Sequence, residues 1–417
     1  MSSSAEPIAP LTDMLGVGLL TASVSRIVVD EAVEGCGRGA KRSGGALPPH
    51  LMVYFAMAMA LFAEEDYQGV MARMAEPLRS WGGWDPAWAP PTSGGITQAR
   101  ARLGFEPVKQ VFEHVARPVA TALTRGAWLR HRRLVSIDGM VFDLPDTKAN
   151  TEAFGKPSGG AFPQARATTL VESGSHCELG AVIGGVAGKG TGERSAAAEL
   201  IPLLDEDMLF TADRGFYSFD LWCRAADTGA GLLWRIGDTM DLPVVADLGD
   251  GSYTTLVFDP AARTPARSRL LQAARAGADL EHERDRCRLV RVVEYYVDDR
   301  GGADRADKEL LCLITNLVDP RDALPGELAV AYHDRWEHEG ANAQIKTQLR
   351  GPGKILRSRS PDMVRQEIYG YLLTHHAIAA LICTAATDTD TDPDRIKFKN
   401  TVRLARRRIT DPAAFSP

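Results

Sequence analysis

The feature that most constrains this fold is a change in hydrophobic period along the chain. Residues 12–75 carry apolar side chains at helical spacing, and the stretch Leu51–Met74 contains almost no helix breakers. From Leu134 onward, short apolar or alternating runs bounded by Gly, Pro and Asp predict strands instead. After Thr315 the helical pattern returns. Several strands in succession, followed by strands and helices in alternation, predict a mixed α/β fold behind a helical N-terminal region.

The predicted elements of the central region can be placed individually. Strands are predicted over Leu134–Leu144, Thr168–Val171, Cys177–Val186, Met208–Ala212 and Gly231–Ile236. Helices are predicted over Ser195–Leu204, Phe219–Thr228, Gly326–Leu349 and Pro361–Ala385. The stretch Gly237–Leu310 has a different texture, with polar turns, a basic helical stretch and one β-rich run, and we interpret it as an insertion into the α/β region.

Composition excludes several classes of protein. The longest apolar run, Leu51–Phe62, has 12 residues where a membrane span needs about 20, and the N-terminus lacks a basic segment. We therefore expect a cytoplasmic protein. The 6 cysteines form no CxxC pair, so neither a zinc ribbon nor a disulfide framework is indicated. His333, His338, His375 and His376 match no standard zinc spacing, so we expect ordinary exposed or core histidines.

Basic charge is concentrated at the C-terminal end, in one cluster from Lys346 to Arg365 and another from Arg395 to Arg408. The chain has a net charge of −6, yet residues 341–417 hold 13 Lys and Arg against 7 Asp and Glu. Clusters of this kind can neutralise DNA phosphates, although a charge run is also what a solvated face contains. Earlier in the chain, the basic stretch Thr97–Leu103 predicts a short helix bearing Arg100 and Arg102, followed by a turn and a second helix over Val108–Leu123. That pattern is shared by helix-turn-helix readers of DNA and by ordinary helical bundles.

The most informative segment lies in the predicted helix Gly326–Leu349. At about 100° per residue, Tyr332, Arg335, Glu339 and Lys346 project into one sector about 60° wide. These side chains suit a surface that grips phosphate around a metal ligand, because each would need a partner if it were buried. The alternative is a solvated face in which Glu339 pairs with Arg335 at i,i+4.

Two aspartates favour the first interpretation. Asp138 lies in the middle of an otherwise apolar predicted strand, where its carboxylate needs a polar site. Asp213 follows the predicted strand Met208–Ala212, at the end where α/β proteins place their sites. Together with Glu339, these carboxylates have the chemistry to bind two Mg²⁺ ions and a substrate phosphate.

These residues resemble a known family. The spacing Tyr332-x2-Arg335-x3-Glu339-x6-Lys346 resembles the YREK signature of the insertion sequence 4 family of bacterial DDE transposases. The segments around Asp138 and Asp213 resemble that family's two catalytic-aspartate regions. The resemblance implies a helical N-terminal domain that binds DNA ends (1–125) and a ribonuclease H-like catalytic domain (130–236 and 311–350). It further implies a β-rich insertion domain (237–310) and a helical basic C-terminal region for DNA binding or dimerisation (351–417).

The resemblance also implies residue roles. Asp138, Asp213 and Glu339 would be the catalytic residues and would hold two Mg²⁺ ions per active site, with Mn²⁺ able to replace them. Tyr332, Arg335 and Lys346 would contact phosphates of the transposon-end strand. Trp336 is predicted either to stack on a base or to pack internally. Further DNA contacts are predicted for Arg214, Arg100, Arg102, Lys354 and Arg357.

The function implied is cut-and-paste DNA transposition. The protein would bind terminal inverted repeats, cleave the ends with Mg²⁺ and join the 3'-hydroxyls to target DNA, as a homodimer on paired ends. Two alternatives are a catalytically idle repressor derived from a transposase and a metal nuclease of the same fold without strand transfer. The survival of all three carboxylates disfavours the idle repressor.

Overall fold

The N-terminal region is helical, as predicted. The computed structural model describes residues 19–40, 47–76, 89–188, 190–237, 240–298 and 308–408. Its first six helices are α1 (Leu19–Ser23), α2 (Arg26–Gly35), α3 (Pro49–Leu61), α4 (Tyr67–Ala75), α5 (Ser93–Leu103) and α6 (Glu106–Val115). Helix α6 ends at Val115 rather than at the predicted Leu123, because Pro118 disfavours helical geometry in the residue before it.

Two apolar helices form the centre of this helical region. Helix α3 is apolar on every side, and His50 to Leu61 are all buried. It packs against α13 (Pro361–Asp388), whose 28 residues are long and apolar enough to cross a bilayer by length and composition alone. Because 78% of the most apolar window of α13 is buried inside the protein, this helix is a core helix.

A single mixed sheet follows the helical region. Its strands are β1 (Trp128–Leu129), β2 (Arg132–Asp143), β3 (Gln164–Glu172), β4 (Glu178–Gly185), β5 (Met208–Ala212), β6 (Gly231–Ile236), β7 (Ala246–Asp247), β8 (Tyr253–Phe258), β9 (Cys287–Asp298) and β10 (Lys308–Thr315). Their order is β4-β3-β2-β5-β6-β10-β9-β8-β7, and β1 pairs with β2. The mixed α/β architecture with a helical N-terminal region is therefore confirmed.

Strand β2 is the point at which the sheet changes character. On one side, β3 and β4 continue the sheet with antiparallel pairing, whereas β5 runs parallel to β2 and β6 runs parallel to β5. Strand β10 then pairs antiparallel with β6, and β9, β8 and β7 follow in antiparallel order. The strands of the predicted insertion thus extend the same sheet.

The remaining helices lie between and after the strands. They are α7 (Lys148–Phe154), α8 (Glu193–Leu200), α9 (Phe219–Ala226), α10 (Thr264–Arg275), α11 (Pro325–His333), α12 (Trp336–Ala343) and α14 (Phe398–Arg408). The continuous helix predicted over Gly326–Leu349 was wrong in detail. Backbone bonds of the i→i−3 kind separate α11 from α12 at Asp334 and Arg335, and a π-helix with wider turns follows over Gln344–Leu349. Neither Gly nor Pro marks these changes, so the sequence does not reveal them.

Candidate functional site

Strands β2 and β5 bring two aspartates to the same level. In this parallel pair Ser136 lies opposite Thr211. Asp138 follows Ser136 by two residues within β2, and Asp213 follows Thr211 by two residues, just past the end of β5. Because side chains alternate between the faces of a sheet, both aspartates project to the same face as Ser136 and Thr211. The two acidic groups therefore lie beside each other on adjacent parallel segments.

The face that carries the aspartates changes from apolar to polar along its strands. At the start of the strands, Leu134, Leu209 and Leu233 pack in a hydrophobic cluster with Leu328 and Tyr332 of α11. Two residues after Leu134 and Leu209 come the buried hydroxyls of Ser136 and Thr211, and two residues further come the aspartates. The cluster seats α11 on the sheet, so the helical segment that follows α11 lies over the polar end of the face.

Asp138 is held by two hydrogen bonds. Its Oδ1 accepts from the backbone N of Gly139 at 2.8 Å, and its Oδ2 accepts from Nδ2 of Asn342 at 3.0 Å. Burial raises the pKa of Asp138, while the Gly139 bond and the positive charges of Arg335 and Lys346 act in the opposite direction. The carboxylate of Asp138 is therefore within electrostatic reach of Arg335 and Lys346, the two basic residues of the helical sector predicted from the sequence.

A chain of contacts connects Asp213 to Glu339. The Tyr332 hydroxyl donates to Oδ1 of Asp213 at 3.4 Å, and burial raises the pKa of this tyrosine. The Arg335 guanidinium lies over the Tyr332 ring at 5.5 Å from the centroid and pairs with Oε1 of Glu339 at 3.7 Å. Arg335 is 8% exposed, and its Nε makes no hydrogen bond with any described residue. The pairing of Glu339 with Arg335 is the one that the alternative interpretation anticipated.

His338 fastens the helix that carries Glu339 to the sheet. Its Nδ1 and Nε2 each lie 2.9 Å from a buried hydroxyl, that of Ser136 on β2 and that of Thr169 on β3. Burial lowers the pKa of His338 to about 3, so the imidazole is neutral. It therefore ties α12 by hydrogen bonds to β2, the strand that carries Asp138, and to the neighbouring β3, which agrees with the core histidine expected from the sequence.

The other residues predicted to contact DNA have different surroundings. Lys346 is half-buried and makes no ion pair with any described residue. Trp336 is 56% exposed, with its ring centroid 6.3 Å from that of His333. Arg214 and Arg102 are exposed. These side chains lie at the surface, and Trp336 is not the internal packing residue that the sequence left open.

The structure corrects the DNA contact predicted for Arg100. This side chain is fully buried, and each guanidinium nitrogen donates to a protein acceptor, on Gln366, Tyr67, Ser358 and the carbonyl of Met363. No nitrogen is left without a partner for a phosphate. The helical period was read correctly here, but a buried basic side chain and a DNA-facing one look the same in a single sequence.

Lys354 and Arg357 are likewise engaged within the protein. Lys354 forms an ion pair with Glu64. Arg357 donates to the carbonyls of Glu65 and Met59 at 2.7 and 2.6 Å. These bonds attach the segment after the π-helix to the N-terminal helices, so both side chains have a structural role that the sequence did not suggest.

Comparisons with known proteins give several matches to this chain. Residues 15–113 match the family described as insertion element 4 transposase N-terminal. The chain is 26% identical over 388 residues to "Transposase InsG for insertion sequence element IS4" of Escherichia coli K12, which covers 89% of this chain and 78% of that protein. Both matches support the insertion sequence 4 family of transposases for this chain. The family predicted from the YREK spacing is thereby confirmed.

Two further matches are more limited, one in length and the other in similarity. The "Putative transposase InsZ" of the same organism is 29% identical over 147 residues, which is 34% of this chain and 48% of that protein. A cryo-electron microscopy structure of the piggyBac transposase in a synaptic complex with hairpin DNA superimposes with a TM-score of 0.47 and 9% identity. It covers 98% of this chain and 82% of that one.

The acidic side chains do not form a preassembled metal cluster. In the part of the chain that the structure describes, no group of three or more His, Cys, Asp or Glu side chains could hold a metal ion. Asp138 and Asp213 are level with each other, but Glu339 is turned to Arg335 and its side chain is 47% exposed. The donor chemistry nevertheless fits a hard divalent cation, because carboxylate oxygens are accompanied by the Asn342 Oδ1, a buried amide oxygen with no hydrogen-bond partner among the described residues.

Sequence reasoning missed two polar residues of this site. Asn342, which holds Asp138, follows Glu339 by three residues and lies on the same side of the helix, so helical spacing alone would have pointed to it. Arg235 lies in the apolar strand β6, pairs with Glu309, and its positive charge acts on Tyr332. A charged residue inside an apolar strand is the signal that identified Asp138, and it was equally present for Arg235.

Proposed function

We propose that this transposase binds the terminal inverted repeats of its element as double-stranded DNA, hydrolyses the phosphodiester bonds at the ends, and transfers the 3'-hydroxyls to target DNA. Paired ends need two active sites, so the acting species is a homodimer. The reaction is proposed to take place in the cytoplasm, on the bacterial nucleoid, where the DNA substrate lies.

One observation carries this proposal. Asp138 in β2 and Asp213 just after β5 each follow the last paired position of these adjacent parallel strands by two residues, and their carboxylates accept hydrogen bonds from Asn342 and Tyr332 of the helices that bear the YREK residues. Three segments far apart in sequence thus converge on one acidic face. Acidic oxygens surrounded by Arg335 and Lys346 suit a phosphodiester, whose negative charge needs both cations and metal-binding oxygens.

The residues that would hold Mg²⁺ are Asp138, Asp213 and Glu339. When bound there, two Mg²⁺ ions supply activation of the attacking hydroxyl or water and stabilisation of the leaving oxygen, and Mn²⁺ can replace them. Glu339 pairs with Arg335, so its side chain would have to leave that ion pair and turn towards the aspartates. This change costs little, because an i,i+4 pair contributes about 0.2–0.5 kcal/mol. A DNA phosphate that binds Arg335 would compensate that guanidinium in place of Glu339.

The basic and aromatic side chains then orient the substrate. Arg335 can bind a phosphate through its planar fork, and Lys346 contributes a point charge next to Asp138. Tyr332 donates to Asp213 and keeps that carboxylate in place. Trp336, Arg214 and Arg102 are exposed and available for more peripheral contacts with the duplex.

The catalytic domain is proposed to be ribonuclease H-like. In support, three antiparallel strands, β4, β3 and β2, are followed by β5 and β6, which run parallel to β2. The domain limits stay as predicted from sequence: 1–125 for end binding, 130–236 with 311–350 for catalysis, 237–310 for the insertion, and 351–417 for DNA binding or dimerisation.

A strand-transfer assay tests the function. Purified protein is incubated with Mg²⁺, a labelled duplex containing the inverted repeat that flanks its gene, and an unlabelled target plasmid. Joined products support transposition. Cleaved ends without joining would instead indicate the metal nuclease, and a shifted but intact duplex would indicate the idle repressor. The Asp213→Asn variant, which keeps the shape of the side chain, serves as the inactive control.

A further inference from the structure

A cavity lies behind the helix that carries Glu339. It has a volume of about 280 Å³ and is lined by the turn between β3 and β4, the π-helix, α13 and the segment that leads into α14. Since one water occupies about 30 Å³ of liquid, the cavity can hold an anion with part of its hydration shell. Its polar lining includes His176, Gln344, Gln348, Lys397 and Lys399.

The lysines of this cavity differ from most others in the protein. Lys109, Lys148, Lys156 and Lys354 each form an ion pair. Among lysines whose side chains the structure describes, three form none: Lys346, Lys397 and Lys399. The first is the lysine of the YREK signature. The other two both line the cavity.

The remaining lining adds hydrogen-bonding groups and little opposing charge. The acidic member is Asp394, which is already paired with Nε2 of His176 at 3.2 Å. Gln344 is engaged by His375 and His176. Gln348 has a buried Oε1 without a partner among the described residues, so its amide is free to turn and donate through Nε2. The groups left over for a ligand are thus two ammonium ions and an amide.

The cavity and the catalytic face share one helical segment. Gln344 and Gln348 line the cavity from the π-helix. Lys346 lies between them in sequence, and on the other side of this helix its positive charge acts to lower the pKa of Asp138. The cationic lining is continuous along the chain with Arg395 and with Arg403 of α14. Two unpaired lysines on a longer basic surface match the phosphates of a polyanion better than they match a small neutral ligand.

We propose that this cavity is a second DNA-binding site, in which Lys397 and Lys399 hold a backbone phosphate of the duplex against the π-helix. This inference rests on the proposed DNA-binding function but not on cleavage. Through the π-helix, the bound phosphate steadies the segment that carries Lys346 on its opposite side.

The first test measures the salt dependence of binding to a short random-sequence duplex in EDTA, so that neither end recognition nor chemistry is needed. The Lys397→Gln/Lys399→Gln variant should lower the slope of log K against log salt by about 0.9, because one phosphate contact is lost. The matched control is Lys109→Gln/Lys148→Gln, which removes two exposed lysines that have internal partners. An unchanged slope in the first variant, or an equal loss in both, would overturn the inference. A wild-type protein that binds no duplex would overturn the proposed function as well.

The second test locates the contact by hydrogen exchange. Duplex should slow backbone exchange over Gln344–Leu349 in the wild type and in the control variant, but not in Lys397→Gln/Lys399→Gln. Inorganic phosphate at matched ionic strength distinguishes the source of the phosphate. Protection by inorganic phosphate without protection by duplex would overturn the assignment to DNA.

Discussion

Two groups of basic side chains look alike in the sequence and have opposite surroundings in the fold. Arg100, Lys354 and Arg357 are committed to carboxylates, hydroxyls and carbonyls within the protein. Lys346, Lys397 and Lys399 make no ion pair with any described residue. Both groups lie in basic stretches for which the sequence alone leaves two interpretations open, a DNA contact or an ordinary protein surface or bundle.

This difference shows that a basic side chain is available to bind DNA only if it has no partner within the protein. A guanidinium removed from water needs acceptors for its donors, so a buried arginine uses them within the fold and has nothing to offer a phosphate. An unpaired lysine at the surface keeps its charge for a partner from outside. Among the lysines whose side chains the structure describes, those without an ion pair lie on the two sides of the π-helix, and the paired ones lie elsewhere.

The largest effect should come from the acidic centre around which the unpaired cations are arranged. Glu339→Gln should reduce cleavage of end-containing duplex at least about 10³-fold, on the scale of losing one metal-binding or charge-stabilising group. Binding to the duplex should persist. The matched control is Glu337→Gln, two residues away on the opposite side of α12, where the carboxylate accepts from Gly174 N. Equal losses in the two variants would mean that the side of the helix is irrelevant, and our assignment of Glu339 would be wrong.

The next effect concerns the internally committed group. Arg100→Leu should lower the free energy of unfolding by about 3 kcal/mol, because Gln366 and Ser358 are left buried without their donor. Urea denaturation measures this loss. The control is Arg102→Leu, an exposed arginine in the last turn of the same helix, which should change stability by less than about 0.5 kcal/mol. If Arg100→Leu instead weakens DNA binding at unchanged stability, Arg100 belongs with the DNA contacts after all.

Much of the fold follows from patterns within single segments. The predicted strand Leu134–Leu144 is β2 at Arg132–Asp143, and those over Met208–Ala212 and Gly231–Ile236 are found with the same bounds. Alternation and bounded apolar runs identify such strands because their side chains face two buried layers. What these patterns do not contain is pairing. The addition of β8, β9 and β10 to the same sheet depends on contacts between distant residues.

The residues of the site also differ in whether the sequence alone reveals their role. Asp138 was recognisable because a carboxylate in an apolar strand is costly unless it serves a polar site. The YREK spacing was recognisable because helical periodicity collects those four residues. The role of His338 was not, since its hydroxyl partners, Ser136 and Thr169, are about 200 and 170 residues away in sequence and are fixed only by the packing of α12 on the sheet.

A smaller effect compares one lysine from each group. Lys346→Gln should weaken duplex binding and lower its salt slope by about 0.9, because one phosphate contact is lost, with unchanged thermal stability. Lys354→Gln, which removes a lysine paired with Glu64, should leave the slope unaltered and produce at most a small change in stability. Fluorescence anisotropy across a salt series measures both variants. If Lys354→Gln lowers the salt slope of duplex binding and Lys346→Gln does not, the distinction between the two groups is wrong.

The smallest effect tests the ion pair at the edge of the cavity. Burial lowers the pKa of His176, but the bond to Asp394 and the negative charge of Glu337 outweigh burial, and the net pKa is raised. His176 in turn lowers the pKa of Asp394. Burial raises the pKa of Glu337, whose Oε2 lies 3.8 Å from Nε2 of His176, to about 7.

The sign of the pH dependence follows from these directions. A histidine whose folded pKa is raised contributes stability that is fully present below its unfolded value of about 6.5 and is lost as the pH rises through the folded value. Asp394 adds the lower limit, since its contribution is lost as the pH falls through a folded pKa below about 3.8. His176→Gln should therefore destabilise the protein more at pH 5.5 than at pH 9, as measured by urea unfolding at both. A larger loss at pH 9 would show that His176 stabilises the turn as a neutral ring, and that Asp394 is not compensated and opposes a phosphate in the cavity.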